Sequence, residues 1–241
     1  MGLSLKSAIM LLGLGLPKQL LALTGEDGYK IEEHLWGYGI DVDKCIGCGR
    51  CVNACKLENK VPDEPFFFRT WVERYVERDN GKVEVDSPNG GKEGFPELKD
   101  KKNIEKSFFV PKICNHCEHP PCVQVCPVGA TYKSKDGVVL VDETYCIGCR
   151  YCIQACPYGA RYLHPEKKVA DKCTLCYHRI TKGLNPACVD ACPVSARLFG
   201  NLKDADSPIS KFIRAKKVQV LKPHLGTRPK IFYSGIDKEV R

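Results

Sequence analysis

The 241-residue chain has no stretch of eighteen or more apolar residues, which excludes a membrane-spanning helix on length and leaves any membrane contact peripheral or through a partner. It has no dense basic run and no aromatic platform, so the formal charge of +8, from 37 Lys plus Arg against 29 Asp plus Glu, is no sign of nucleic-acid binding. No Ser/His/Asp set and no phosphate-binding glycine loop is present, and nothing points to chemistry on a small-molecule substrate. Strong helical periodicity is scarce as well. What remains is a chain with 43% hydrophobic residues, enough to bury a core, and an unusual stock of cysteine.

The sixteen cysteines fall into four groups of four with none left over: Cys45, Cys48, Cys51 and Cys55; Cys114, Cys117, Cys122 and Cys126; Cys146, Cys149, Cys152 and Cys156; Cys173, Cys176, Cys188 and Cys192. Disulfides, zinc and iron–sulfur clusters compete for such a set. Disulfide frameworks belong mainly to short secreted chains, and a Cys-x-x-Cys-x-x-Cys run gives each thiol several rival partners. The fourth group, with eleven residues between Cys176 and Cys188, fits a zinc ribbon when taken alone. The first and third groups do not: they read Cys-x-x-Cys-x-x-Cys-x-x-x-Cys, the run in which three thiolates hold one [4Fe-4S] cube and the fourth holds a neighbouring cube. A tight loop reaches three corners of a cube and leaves the fourth to a distant Cys. Pro127, Pro157 and Pro193 each follow such a closing Cys, where a residue without an N–H suits the chain beyond it. Two pairs of loops that exchange ligands give four cubes.

Internal repetition agrees with this reading. CPVGATY at 126–132 and CPYGARY at 156–162 are near copies, and CPVSARL at 192–198 is a weaker third. IDVDK before Cys45-Ile46-Gly47-Cys48 echoes VLVD before Cys146-Ile147-Gly148-Cys149. Gly47 and Gly148 suit a tight turn that brings backbone N–H groups toward sulfur. Between the loops, residues 68–77 alternate and turn at Asn80-Gly81 into a return strand at 83–86; Asp136-Gly137 precedes a second hairpin strand at 138–141, and 161–163 with 168–170 predicts a third hairpin. Residues 87–106, with Asn89-Gly90-Gly91 and many charges, read as a surface loop open to partners. The fold class expected is α+β: a loop-rich, double bacterial-ferredoxin-like fold with short β-hairpins and two pairs of [4Fe-4S] loops, whose metal sites supply much of the folding energy.

Four stretches are specific: CIGCGRC at 45–51, CNHCEHPPC at 114–122, KCTLC at 172–176 and LKPHLGTRPKIFY at 221–233. Through them residues 37–233 resemble the four-cluster iron–sulfur electron-transfer subunits of complex iron–sulfur molybdoenzymes and their relatives, the family of dimethyl sulfoxide reductase beta subunit, polysulfide reductase B, tetrathionate reductase B and NrfC-like proteins. Cysteine spacing leaves open whether the third group joins the second or the fourth. The resemblance implies a nested pairing, with Cys45, Cys48, Cys51 and Cys192 on cube A, Cys173, Cys176, Cys188 and Cys55 on cube B, Cys114, Cys117, Cys122 and Cys156 on cube C, and Cys146, Cys149, Cys152 and Cys126 on cube D. Some relatives replace a ligand with Trp or Asp, whereas all sixteen iron ligands are present here. It also implies a non-catalytic electron-transfer subunit. Its partners would be a catalytic oxidoreductase subunit (molybdopterin, multihaem or other) and an integral membrane quinone-reactive (NrfD-like) or haem subunit. The domains expected are a leader-like or peripheral apolar segment at 1–28, a first module at 29–61 and 171–202, a hairpin and loop insertion at 62–113, a second module at 114–170 and an extended tail at 203–241. A structural zinc protein and an enzyme catalytic on its own are the alternatives.

An oxidised cube with four thiolates carries about −2, so four carry about −8, which offsets the side-chain excess of +8. Arg50, Lys56, Arg150 and Lys172 lie beside ligand cysteines and are candidates for raising local potentials. His116 and His119 lie between ligands of a cube already supplied with four Cys, which makes a supporting or interface role the expectation; His34, His164, His178 and His224 show no metal spacing. Residues 8–16 (AIMLLGLGL) follow Lys6 and precede Pro17-Lys18 and a second apolar block at 20–23, like the hydrophobic part of an export leader. Ser4-Leu5-Lys6 resembles the end of a twin-arginine motif that lacks its arginines. The expectation is an exoplasmic location, with the cytoplasmic face left open.

Overall fold

The sequence WGYGID is apolar or small enough to be covered on both faces, and Trp36–Asp41 forms β1, buried along its whole length. In the computed structural model, which describes residues 28–64, 67–98, 100–236 and 240, β1 is the hub of the largest sheet. The leader-like block at 8–16 lies outside the described residues. Arg197–Asn201 (β9) runs antiparallel to β1, with Trp36 opposite Asn201 and Ile40 opposite Arg197. Ile231–Ser234 (β11) runs parallel to β1 on its other side, and Val218–Gln219 (β10) closes the edge. The sheet thus joins the start of the chain to the segment that follows Cys192 and to the C-terminal region.

Residues 203–241, expected as an extended tail, depart from that expectation. They contain helix α6, Pro208–Ala215, and two strands of the main sheet. Ser207 caps α6 by accepting the Ser210 N–H at 3.3 Å, Pro208 occupies the first turn, and Ile209 and Phe212 are buried. The signal for α6 was its Ser-Pro start and 3.6-residue apolar spacing, too short a pattern to stand out before the partner face was known.

Thr70–Arg78 (β2) and Val83–Asp86 (β3) form the hairpin expected at Asn80-Gly81. The loop expected over 87–106 is a partial correction: its end belongs to Ile104–Ile113 (β4), which pairs with β2 from Thr70 opposite Ile113. Asn89-Gly90-Gly91 is also no free surface, since Gly90 and Gly91 are buried, and the Lys92 carbonyl accepts a 2.7 Å bond from Asn53 on helix α1, Arg50–Asn59. This insertion covers the first cysteine loop. The small hairpins β5–β6 (Thr131–Lys133 with Val139–Val141) and β7–β8 (Arg161–Leu163 with Ala170–Lys172) follow the second and third cysteine groups. In the latter the return strand begins two residues later than expected, and the boundary set between residues 170 and 171 falls inside β8.

Four one-turn helices complete the loops: α2, Pro121–Gln124; α3, Tyr151–Gln154; α4, Tyr177–Ile180; and α5, Ala187–Asp190. The main core packs Tyr38, Ile40, Val52, Tyr75, Ile113, Leu175 and Tyr233 around Cys51, Cys114, Cys173 and Cys188. Thiols take the place of ordinary core side chains. A second, small cluster holds Cys122, Val139, Cys152 and Ala170.

Gly49 and Gly129 separate two roles of positive φ. Gly49 has φ +72 and its absent Cβ would run into the carbonyl oxygen of Gly91, whereas Gly129 has φ +66 and open space around it. Gly129→Ala is therefore expected to cost only the left-handed penalty, about 1–2 kcal/mol. Gly49→Ala is expected to cost clearly more and to lower the iron held by the first loop. Equal losses in thermal unfolding, with equal iron, would show that the insertion does not clamp that loop.

Candidate metal centre

The repeat unit Cys-Pro-x-(Gly/Ser)-Ala builds the same small cradle three times. Gly129, Gly159 and Ser195 all take positive φ, which turns the following N–H groups back toward the cysteine sulfur. The Thr131 N–H reaches Cys126 Sγ at 3.4 Å and the Ala196 N–H reaches Cys192 Sγ at 3.2 Å. A loop and a strand contribute alike: Leu175 N–H lies 3.4 Å from Cys173 Sγ, and the N–H of Ala170 in β8 lies 3.4 Å from Cys146 Sγ. Donors aimed at sulfur favour the thiolate form. Burial raises the Cys126 thiol, yet N–H groups from Thr131, Val128 and Ala130 outweigh it and hold it below the ordinary thiol value.

At three other thiols burial wins. It pushes Cys45 up to about 11 against the opposing pull of the Gly47 N–H and Arg197, and pushes Cys117 and Cys173 up to about 12, with neighbouring thiols adding to the effect. Thiols in such positions stay protonated near neutral pH until a metal displaces the proton.

One cavity is lined by Cys45, Cys48, Cys51 and Cys192 together with Arg197. Another is lined by Cys55, Cys173, Cys176 and Cys188, and here Asn59 spans two groups, its Nδ2 lying 3.6 Å from Cys55 Sγ and 3.5 Å from Cys176 Sγ. Arg69 fixes Asn59 through a 3.0 Å bond and is itself held by Asp171 at 2.8 Å. In the second module Cys117 has Cys114, Cys122 and Cys156 as its electrostatic neighbours. Cys122, Cys152 and the half-buried Cys146 pack in the small core cluster. Among the described residues no three Cys, His, Asp or Glu side chains converge as they would on one metal ion. The thiols of the first and fourth groups instead stand around cavities.

Three buried cations sharpen the fit. Arg197 donates to Tyr38 Oη at 3.3 Å and Thr70 Oγ1 at 2.9 Å beside Cys51 and Cys188; Tyr38 Oη is itself 3.2 Å from Cys188 Sγ. Arg161 donates to Cys122 Sγ at 3.1 Å and Thr131 Oγ1 at 3.3 Å, and its Nε is buried without a partner. Lys172 donates to the carbonyls of Val139 and Cys173. No carboxylate is among these partners. Uncompensated charge in a core costs several kcal/mol, so this set calls for an anionic group in the thiol cavities, and an anionic iron–sulfur cube supplies it.

Lys172 was legible beside its ligand. Arg161 and Arg197 were visible only as the fifth residue after the closing Cys in two repeats, a position to which the spacing of thiols gives no role. Lys56 is buried but serves the fold, donating to the carbonyls of Pro62 and Phe67, while Arg50 and Arg150 are exposed. His116 is fully buried and cannot be an interface residue; its Nδ1 accepts the Val139 N–H at 3.1 Å, and burial with Lys172, Lys230 and Arg161 nearby keeps it neutral. His119 is exposed. His178 pairs with Glu58 at 2.6 Å, tying α4 to α1.

Residues 44–130 and 105–202 each match a family model described as a 4Fe-4S dicluster domain. The chain is 42% identical over 206 residues to the tetrathionate reductase B subunit of Salmonella typhimurium, covering 85% of this chain and 74% of that one. The chain belongs to this iron–sulfur subunit family. It is also 46% identical over 211 residues to the tetrathionate reductase B subunit of Archaeoglobus fulgidus (87% of each chain), and 39% identical over 221 residues to NrfC of Escherichia coli K12 (88% of this chain, 89% of that one). Two dicluster domains and sixteen cysteines give this family member four [4Fe-4S] clusters. Each family match follows the chain and neither spans the first and fourth groups together.

Chain purified without oxygen is expected to contain about sixteen iron and about sixteen acid-labile sulfide with a broad brown absorbance. Saturation near half that iron, or zinc in comparable amount, would overturn the four-cube content.

Proposed function

We propose that the chain is a non-catalytic electron relay between a catalytic oxidoreductase subunit and a membrane quinone-reactive (NrfD-like) or haem subunit. When bound, each cube supplies a one-electron couple. The residues of the chain do the rest: thiolates anchor the cubes, N–H groups and cations stabilise negative charge on sulfur, and the core keeps water away. The relatives support a place in oxidoreductase complexes, since their names include an arsenate respiratory reductase iron–sulfur subunit and a sulfite dehydrogenase B subunit. Among the described residues no helix is long and apolar enough to cross a membrane, so membrane attachment is assigned to the partner. The leader-like block at 8–16 supports the exoplasmic side.

For ligation we adopt the nested sets: Cys45, Cys48, Cys51 and Cys192; Cys55, Cys173, Cys176 and Cys188; Cys114, Cys117, Cys122 and Cys156; Cys126, Cys146, Cys149 and Cys152. The observation that carries the reading is how these sets meet. Cys51 neighbours Cys188, Cys173 neighbours Cys114, and Arg161 faces both Cys122 and Cys152. These neighbours support the series A, B, C, D for the four sets. Among the ligand thiols only Cys48 in set A and Cys149 in set D are exposed, so the series opens to solvent at its two ends. Ile46 is exposed beside the first opening, and Tyr145, Ile147 and Tyr151 beside the second, apolar surface of the kind that partners cover.

Two measurements test this. Cys55→Ser and Cys188→Ser are expected to alter the same electron paramagnetic resonance signal, and Cys126→Ser the signal of Cys146, Cys149 and Cys152; a change in the Cys45 cube on Cys126→Ser would defeat the nesting. The loaded chain alone is expected to accept electrons from dithionite and return them to an acceptor without turning over oxyanion, sulfur or quinone substrates. Sustained turnover free of other subunits would defeat the relay.

A further inference from the structure

The four sets have three junctions, and each junction holds one of the three carboxylate-free buried cations. Arg197 faces Cys51 of set A and Cys188 of set B. Lys172 faces Cys173 of set B and Cys114 and Cys122 of set C. Arg161 faces Cys114, Cys122 and Cys156 of set C and Cys152 of set D. All three are buried, Lys172 to 1% exposure and Arg197 to 3%. Their hydrogen bonds go to hydroxyls, a thiol and carbonyls, which orient the charge without neutralising it.

We propose that Arg197, Lys172 and Arg161 are junction cations, each shared by two adjacent cubes, whose charge raises the reduction potential of both and offsets the repulsion between neighbours when both are reduced. The inference rests on the nested ligand sets proposed above. One-electron reduction adds one negative charge to a site. In a core of low effective dielectric, a fixed positive charge between two such sites acts on both, whereas a hydrogen bond to one sulfur acts on the cube that owns it. Arg is suited to the task because it stays charged under every condition a folded protein meets. The arginines come from equivalent places in the repeat, the fifth residue after Cys156 and after Cys192. After Cys126 that place is taken by Thr131, whose hydroxyl accepts from Arg161. The duplicated unit that supplies a closing thiolate to one cube thus also supplies the counter-charge between that cube and its neighbour.

The experiment is a potentiometric titration of the full, iron-loaded chain followed by electron paramagnetic resonance, with signals assigned through the Cys→Ser variants. Arg197→Gln is expected to make reduction of cubes A and B each about tenfold less favourable, 59 mV for one electron, leaving D unchanged at unaltered iron content. Arg161→Gln is expected to do the same to C and D and leave A unchanged. Arg197→Lys and Arg161→Lys keep the charge and are expected to stay within about threefold of the parent. A shift confined to one cube, an equal shift of all four, or no shift with iron intact would overturn the proposal. Should the glutamine variants fail to load iron, the lysine variants decide: parental potentials support a role for charge, and a tenfold loss with the charge kept overturns it. Failure of the ligand sets shows separately, as Cys55→Ser and Cys188→Ser altering different signals whatever the arginine variants do.

Discussion

Burying negative charge in a small core is the constraint on which the rest of this structure depends. Four cubes bring about −8 into a chain of 241 residues, and each must be desolvated, anchored and compensated. Thiolates anchor, backbone N–H groups aimed at sulfur compensate locally, and Arg197, Lys172 and Arg161 compensate over longer range. Removing the anion would leave these cations stranded in the core, so the empty chain is short of both covalent cross-links and charge balance. The formal excess of +8 is thus tied in part to what the protein carries inside.

That constraint explains the architecture. Cube-binding loops are short and irregular and bury little apolar surface, so the sheets that hold them in place must come from elsewhere. The sheet β10-β11-β1-β9 fastens the flank of the first cysteine group to the segment after the fourth. The C-terminal region also reaches the second group: the Thr227 and Arg228 carbonyls accept from His119 and Glu118, and the Asn115 carbonyl accepts from Lys230. Residues far apart in the chain thereby set the distance between modules, and a relay that works by proximity needs that distance fixed. The insertion carrying β2, β3 and β4 closes over the first loop, where Phe109 packs against Gly47.

Much of the site was legible in the order of residues alone. A Cys-x-x-Cys-x-x-Cys loop is a local geometric statement, because three thiols at that spacing meet only on a compact polynuclear centre, and the hairpins at Asn80-Gly81 and Asp136-Gly137 follow from turn chemistry within a few residues. Strand β4 was hidden because its register is dictated by pairing with β2 over some thirty positions of chain, not by its own alternation. The partners of α6 and β11 were hidden for the same reason.

The sequence by itself determined the four cysteine groups, the nature of the centre and the repeat that builds each cradle, since each group and each repeat unit is read within about twenty residues. Tertiary structure decided which groups face one another, which thiols reach the surface and which buried cations lie among the thiols. Arg197 meets Cys51 and Tyr38, more than 140 residues earlier, and Arg161 meets Cys122, 39 residues earlier, where the third cysteine group folds back on the second. Such contacts have no spacing to read: they exist because the sheet and the cubes together bring distant loops into one low-dielectric interior.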